Sequence, residues 1–316
     1  MLQPTTRYFL GLDIGGTYIK ACVIDENGVQ SHKVIEKTNA TEGKDAVLER
    51  VVVIAQRLIQ QAQPRIVQGI GVGICGPTNS ATGTLITTPI LIGWTDVPIS
   101  AILSDACHLP VVVDNDANLA LYGETWLGVA QSKHNVVGFT VGTGIGGGII
   151  INDQIYHGSR YFGGEVGHMT VRPGGRLCPC GNHGCLNVEG STQATIERYQ
   201  QSKSCLDEVS MQTIYEEAKQ GEHAALKAIA PTIEALSIGI ANLMNIFDPD
   251  IVIIAGGLTL AGEWIRQRIA ESVQQRVYPD LFTNVPIKLA TLTDMAGAIG
   301  AAFLASKQTN VSKSTV

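Results

Sequence analysis

Short apolar runs separated by glycine-bearing turns open the chain. Tyr8 to Leu12, Tyr18 to Ile24 and Val29 to Val34 are rich in apolar and β-branched residues, which predicts three strands. Val47, Val51, Ala55, Leu58 and Ile59 then recur at three- and four-residue spacing between Gly43 and Pro64, which predicts a helix, and Ile70 to Ile74 reads as the next strand. Val111 to Val113 is a short β-branched strand that delivers Asp114, Asn115, Asp116, Ala117 and Asn118 to its carboxyl end, ahead of a helix through Leu121 and Trp126. Val136 to Ile151 reads as a second glycine-tipped hairpin, and Leu226, Ile229, Ile233, Leu236, Ile240, Leu243 and Phe247 form the seam of a long packing helix ended by Asp248-Pro249. Ile251 to Ile254 is a buried strand opening into Ala255-Gly256-Gly257, Ala296 to Ala305 is a small-residue helix able to pack closely, and the polar tail from Ser306 is expected to fray.

The two hairpin tips are the most informative strings. Asp13 to Lys20 read D-I-G-G-T-Y-I-K and Val141 to Gly148 read V-G-T-G-I-G-G-G. Paired glycines permit positive φ and remove side chains that would hold a polyphosphate away from backbone N–H groups. Asp13, Gly15, Gly16, Thr17 and Lys20 on one tip, and Gly142, Thr143 and Gly144 on the other, are therefore candidates for a nucleotide site. Asp13 would face a magnesium ion, and Thr17 and Thr143 would donate to phosphate oxygens. Neither a P-loop string nor a dinucleotide fingerprint running into a helix is present, so the chemistry points to a nucleoside triphosphate rather than to hydride transfer. There is no sequence repeat, but a duplicated architecture would explain two such hairpins.

Asp116 lies where open α/β sheets place their sites. Its carboxylate would accept a proton from a bound hydroxyl while Asn115 orients that hydroxyl, as phosphoryl transfer requires. The alternative is that Asp114, Asp116 and Asn118 cap the next helix. A second constellation joins Glu165 and His168 to Cys178, Cys180 and Cys185, spaced C-x-C-x4-C. Three thiols with His168 as fourth ligand would close a structural zinc site; the alternative is reduced, unliganded cysteines with His183 merely exposed. Cys22, Cys75, Cys107 and Cys205 are isolated and read as small core residues.

At 316 residues the chain is long enough for two lobes, with a division expected between 1–117 and 118–297 and part of the segment 298–316 packing back on the first lobe. A net charge of −6 without a basic run argues against nucleic-acid binding. No leader is read at Met1, and the apolar window Val136 to Ile151 is too short and too glycine-rich for a spanning helix. Seven scattered cysteines fit reduced thiols, so a cytoplasmic protein without membrane partners is expected, acting on small molecules as a dimer or tetramer.

The D-I-G-G-T string, G-V-G-I-C-G-P at Gly71 to Pro77, D-N-D-A-N at Asp114 to Asn118, G-T-G-I-G-G-G at Gly142 to Gly148, E-V-G-H at Glu165 to His168, C-P-C-G-N-H-G-C at Cys178 to Cys185 and D-M-A-G-A-I-G-A-A near the end resemble the ROK family of repressors and sugar kinases. The resemblance implies an α/β, two-lobed actin-like or hexokinase-like ATPase fold with ribonuclease H-like lobes and an interlobe cleft. It implies ATP and Mg2+ in that cleft, structural Zn2+, and transfer to a sugar hydroxyl, glucose foremost. It also implies Asp116 as base, Gly76, Asn115, Glu165 and His168 as sugar contacts, His168 with Cys178, Cys180 and Cys185 on zinc, and Gly256 and Gly257 near the adenosine. Two positions depart from the family pattern. Its sugar-reading glutamate two residues after Cys185 is here Asn187, with Glu189 the nearest acid able to swing inward, both candidates for the sugar site, and the asparagine of its P-N-L string, where sugar hydroxyls are also read, is Ile90. An N-acetylhexosamine or other sugar kinase, a sugar-responsive repressor and a non-catalytic sugar-binding protein remain as alternatives. Repressors of the family carry an N-terminal helix-turn-helix, for which the early position of the first hairpin leaves no room.

Overall fold

The computed structural model describes residues 6–88, 90–203 and 209–311, with side chains up to residue 308. Cys205 lies outside the described residues. The chain forms two compact units: one runs to Gln131 and adds His157–Gly163 and the chain from Asp294, and the other comprises Ser132–Tyr156 and Gly164–Thr293.

The first unit is built on β1 (Tyr8–Ile14), β2 (Tyr18–Asp25), β3 (Gln30–Lys37), α1 (Lys44–Gln61) and β4 (Val67–Ile74). A small sheet of β5 (Thr78–Asn79), β6 (Thr84–Thr87) and β7 (Thr95–Val97) follows, then α2 (Ile99–Cys107), β8 (Val111–Asn115) and α3 (Asp116–Leu127). The main sheet has the order β3-β2-β1-β4-β8, with β1 antiparallel to β2 and parallel to β4. Side chains alternate across β1. Leu10, Leu12 and Ile14 join Val47, Val51, Ile54, Ala55 and Leu58 of α1 in one core, so the expected helix periodicity is realised.

The opposite face of that sheet has almost no room. It receives the helix Ala296–Val311, which also packs on α3. A Cβ added at Gly11 would stand 1.8 Å from the Ala298 carbonyl oxygen, and one at Gly71 would stand 1.8 Å from that of Ala301. On the α3 side, Trp126 and Phe303 stack with ring centroids 4.8 Å apart. This packing explains why the division expected at 117/118 falls inside α3: that helix belongs with the first unit. The last helix also extends past Ser306, where fraying was expected. Ser306 Oγ donates to the Phe303 carbonyl, and Lys307 lies over the Phe303 ring.

The second unit repeats the plan. It contains β9 (Val136–Val141), β10 (Ile145–Ile151), β11 (Gln154–Ile155), α4 (Leu186–Gly190), α5 (Thr192–Lys203), α6 (Met211–Lys219), α7 (His223–Phe247), β12 (Ile251–Ala255), α8 (Glu263–Gln274), α9 (Pro279–Asn284) and β13 (Ile287–Leu289), which makes the last helix of the chain α10. Its sheet order, β11-β10-β9-β12-β13, matches that of the first unit strand for strand: an antiparallel meander, then two parallel strands. These are the ribonuclease H-like lobes of the actin-like, hexokinase-like ATPase fold. α7 is long and apolar enough to cross a membrane, yet Ile229, Leu236, Ile240 and Leu243 are buried in the core and the helix packs on α4, α5 and α8.

Gly71→Ala is expected to destabilise the protein by about 1–3 kcal/mol or more, because the added methyl meets backbone rather than a movable side chain. The midpoint of urea unfolding reads this directly, and an unchanged midpoint would show that α10 does not rest on β4.

Candidate active site

In the first unit the chain turns at Gly15, Gly16 and Thr17 between β1 and β2. The Gly15 N–H donates to the Tyr18 carbonyl at 3.0 Å, and the tip is braced by Thr38, whose hydroxyl donates to the Gly15 carbonyl at 2.6 Å. None of Gly15, Gly16, Gly142 and Gly144 adopts positive φ, so the torsional reason expected for them does not apply, and at Gly16 and Gly144 a steric one takes its place. A Cβ on Gly16 would come within 2.3 Å of Ile90 Cγ2, and one on Gly144 within 2.8 Å of Asn187 Oδ1. Ile90 thus lies against the first tip, with its side chain about half exposed.

Asp13 ends β1 on the α10 face, and its Oδ2 would be 2.7 Å from a Cβ on Gly297. Lys20 is its cross-strand partner on β2. Burial, then the charge of Asp116, raise the Asp13 carboxyl to about 7, against the opposing pull of Lys20. The Asp13 carboxylate, with Asp116 acting on it, is the kind of hard oxygen donor that Mg2+ takes. The contribution of Gly297 was not legible from the sequence, where it is one small residue among many in α10.

Asp116 opens α3 directly after β8. Helix capping is performed by Asn115, whose Oδ1 accepts from Ala117 N at 2.9 Å and Asn118 N at 3.1 Å. Asn115 Nδ2 donates to the Gly76 carbonyl at 3.2 Å, so Gly76 enters through its backbone and fixes the amide. Asp116 Oδ1 also accepts from Ala117 N at 2.9 Å. Asp114 has a role that sequence reasoning missed. It is 1% exposed, accepts from Asn118 Nδ2 at 3.0 Å and lies 2.6 Å from His157 Nε2. This hydrogen bond raises the imidazole pKa against the effect of burial, and the pair braces the strand end beneath Asp116. His157 is distant in sequence and carried no motif signal.

In the second unit, Gly142, Thr143 and Gly144 form the tip between β9 and β10, with Gly142 N donating to the Gly144 carbonyl at 2.8 Å. Gly256 has φ +84 and its Cα faces the Val141 backbone, which sets the Gly256-Gly257 turn beside the base of that tip. Glu165 and His168 flank a 3-10 turn at Val166–His168. Partial desolvation holds the Glu165 carboxyl above its usual value, against the pull of His168.

His168, Cys178, Cys180 and Cys185 converge, with their four ligand atoms all within 4.8 Å of one another. Cys180 Sγ and Cys185 Sγ are 3.7 Å apart, and Cys178 Sγ is 3.6 Å from His168 Nδ1. Zn–S bonds of about 2.3 Å in a tetrahedron require S–S edges of about 3.8 Å, so the cluster fits zinc. Burial and the neighbouring thiols push the Cys185 thiol to about 12, a cost that metal coordination removes by holding a thiolate. Cys22 is buried as expected, whereas Cys75 and Cys107 are only partly so.

Asn187 and Glu189 each have a partner within the second unit. Asn187 Oδ1 accepts the Ile145 N–H at 2.6 Å. Glu189 is 4% exposed, accepts from Arg176 N at 2.8 Å and pairs with Arg172 at 3.7 Å. The inward swing expected of Glu189 would break both interactions. Neither arginine carried a motif signal in the sequence.

The chain is 32% identical over 319 residues to a glucokinase of Halalkalibacterium halodurans, covering 96% of each chain. It is 31% identical over 305 residues to a xylose repressor of Caldicellulosiruptor bescii, covering 92% of this chain and 76% of the repressor. The solved ROK family glucokinase of Streptomyces griseus, in complex with glucose and AMPPNP, superposes with a TM-score of 0.81 at 29% identity, covering 95% of this chain and 99% of that one. The ROK family description matches residues 9–308, nearly the whole length, and the chain belongs to the ROK family.

Proposed function

We propose that the protein is an ATP-dependent hexose kinase that converts glucose to glucose 6-phosphate. The observation that carries the reading is Asp116. It stands at a strand-to-helix junction where Asn115 caps the next two N–H groups, at Ala117 and Asn118, and its charge acts on the buried Asp13. A non-catalytic sugar binder has no use for a buried carboxylate under the charge of a second, a cost that a bound cation offsets.

Asp116 accepts the proton of the sugar hydroxyl as that oxygen forms its bond to the γ-phosphorus and the bond to the β-phosphate oxygen breaks, releasing ADP. Asn115, held by Gly76, keeps one N–H of its amide for the sugar. Glu165 and His168 bind further hydroxyls, with the zinc cluster fixing the imidazole so that the metal shapes recognition without entering the reaction. Asp13 would hold the magnesium ion, which would supply the charge neutralisation the phosphates need. In the first unit the N–H groups of the tip and Thr17 are donors for phosphate oxygens, with Lys20 adding charge; in the second unit the tip N–H groups and Thr143 are donors of the same kind, and Gly256 and Gly257 would lie along the adenosine.

The direct test is ADP release across a panel of hexoses and N-acetylhexosamines. Glucose is expected to give the highest kcat/KM, and preference for an N-acetylhexosamine would move the substrate while keeping the reaction. Asp116→Asn is expected to lower kcat by roughly 100- to 10,000-fold while sugar binding, read by calorimetry, survives. Retention of most of the turnover would place the base elsewhere. The metal site predicts about one zinc per chain after purification without chelator, read by elemental analysis.

Asp13 predicts a pH signature. Because its folded pKa of about 7 lies well above the usual carboxylate range, the folded state holds a proton that the unfolded state has released across this window. Stability without cation therefore falls as pH rises from about 4 to about 7, by an amount of the order of a few kcal/mol. Asp13→Asn is expected to remove that loss. The variant's Tm relative to the natural protein should rise between about pH 4 and pH 8, and Mg2+ should stabilise only the natural protein. A Tm difference independent of pH would show that Asp13 titrates normally.

A further inference from the structure

We infer that Asn187 is a positioning residue that ties the metal loop to the second glycine tip, so that zinc occupancy sets affinity for the nucleotide as well as for the sugar. This rests on the reading of that tip as a triphosphate cradle. Asn187 lies two residues after Cys185, and its Oδ1 accepts the N–H of Ile145, the residue that follows Gly142-Thr143-Gly144. Gly144 packs against the same oxygen.

The clamp is two-sided. At the other end of α4, Thr192 N donates to the Gly142 carbonyl at 2.9 Å, so the segment from Cys185 to Thr192 holds the tip by both its entry and its exit. The start of this segment is itself fixed to the metal loop, where Leu186 N donates to the carbonyl of Met169, the neighbour of His168, at 2.8 Å. From the remaining side the Ile145 carbonyl faces Gly167, where a Cβ would stand 1.9 Å from it, one residue before His168. Ile145 is therefore held on its N–H by a residue two positions from one metal ligand and met on its carbonyl by the neighbour of another. When the four ligands close on one ion, the segment from Cys185 gains a fixed origin, and Asn187 transmits that origin to the N–H groups of the tip.

A sugar contact at Asn187 and a latch at Asn187 predict opposite splits of the Michaelis constants. With the latch, Asn187→Ala keeps stoichiometric zinc, raises KM for ATP by about tenfold, and leaves KM for the sugar within about twofold, because the lost acceptor served the tip. Hydrogen exchange of the peptide covering 142–146 should quicken by about tenfold in Asn187→Ala and in zinc-stripped natural protein. Asn187→Asp, which keeps an acceptor for Ile145, should retain slow exchange. Exchange at 142–146 that is unchanged in both Asn187→Ala and the stripped protein overturns the latch, as does a sugar KM that rises while the ATP KM stays fixed. Calorimetry with magnesium AMPPNP separates the two levels of the argument. Natural protein that binds no AMPPNP overturns the kinase reading and the nucleotide half of the inference together, whereas natural protein that binds it as tightly as Asn187→Ala overturns the latch alone.

Discussion

The burial of the Asp13 carboxyl, which also feels the charge of Asp116, is the constraint around which the first unit is arranged. A carboxyl at the end of a central strand, raised to about 7 by burial and by a second acid, is costly to keep and useful only to a cation. The surroundings hold it there. Period-two alternation sends Leu10, Leu12 and Ile14 into the α1 core and turns Gly11 and Asp13 to the α10 face. Glycines at 11 and 71 let α10 approach so closely that its first turn, at Gly297, lies against the carboxylate. Behind Asp116, the Asn115 cap and the Asp114–His157 pair hold the other acid in place.

The second unit meets the same architectural problem with a different device. Its glycine tip also ends the first hairpin of a five-stranded sheet, but the brace is the segment that begins at the cysteine cluster rather than the single Thr38 hydroxyl. Four side chains from a loop without a regular core of its own converge within 4.8 Å, a geometry that costs entropy and desolvates thiols unless an ion repays it. The duplicated sheet supplies the hairpins, and each unit adds its own means of holding the tip rigid.

The hairpins, the α1 and α7 periodicities, the strand-to-helix junction at Asp116 and the cysteine cluster were legible in the sequence because each is a local pattern. The roles of individual residues were less so. Asn115 reads as a hydroxyl-orienting amide, yet its oxygen is committed to capping α3, and only its nitrogen remains for a ligand. Asn187 reads as a lost sugar contact, and its tie to Ile145, 42 residues away in sequence, leaves no trace in local spacing. The domain division was displaced for a related reason: α3 follows the site motif in sequence, but its partner is α10, at the far end of the chain. Long-range pairings of single polar groups have no period, so spacing arguments do not find them.

The central claim is that a sugar hydroxyl receives the γ-phosphoryl group with Asp116 as base. Phosphorus NMR of the protein incubated with ATP, Mg2+ and glucose tests it most directly. The account predicts ADP and a phosphomonoester on the C6 hydroxyl growing in equal amounts, with neither formed when 6-deoxyglucose replaces glucose. Inorganic phosphate as the sole new phosphorus species besides ADP, or ATP left intact with every hexose offered, would contradict it.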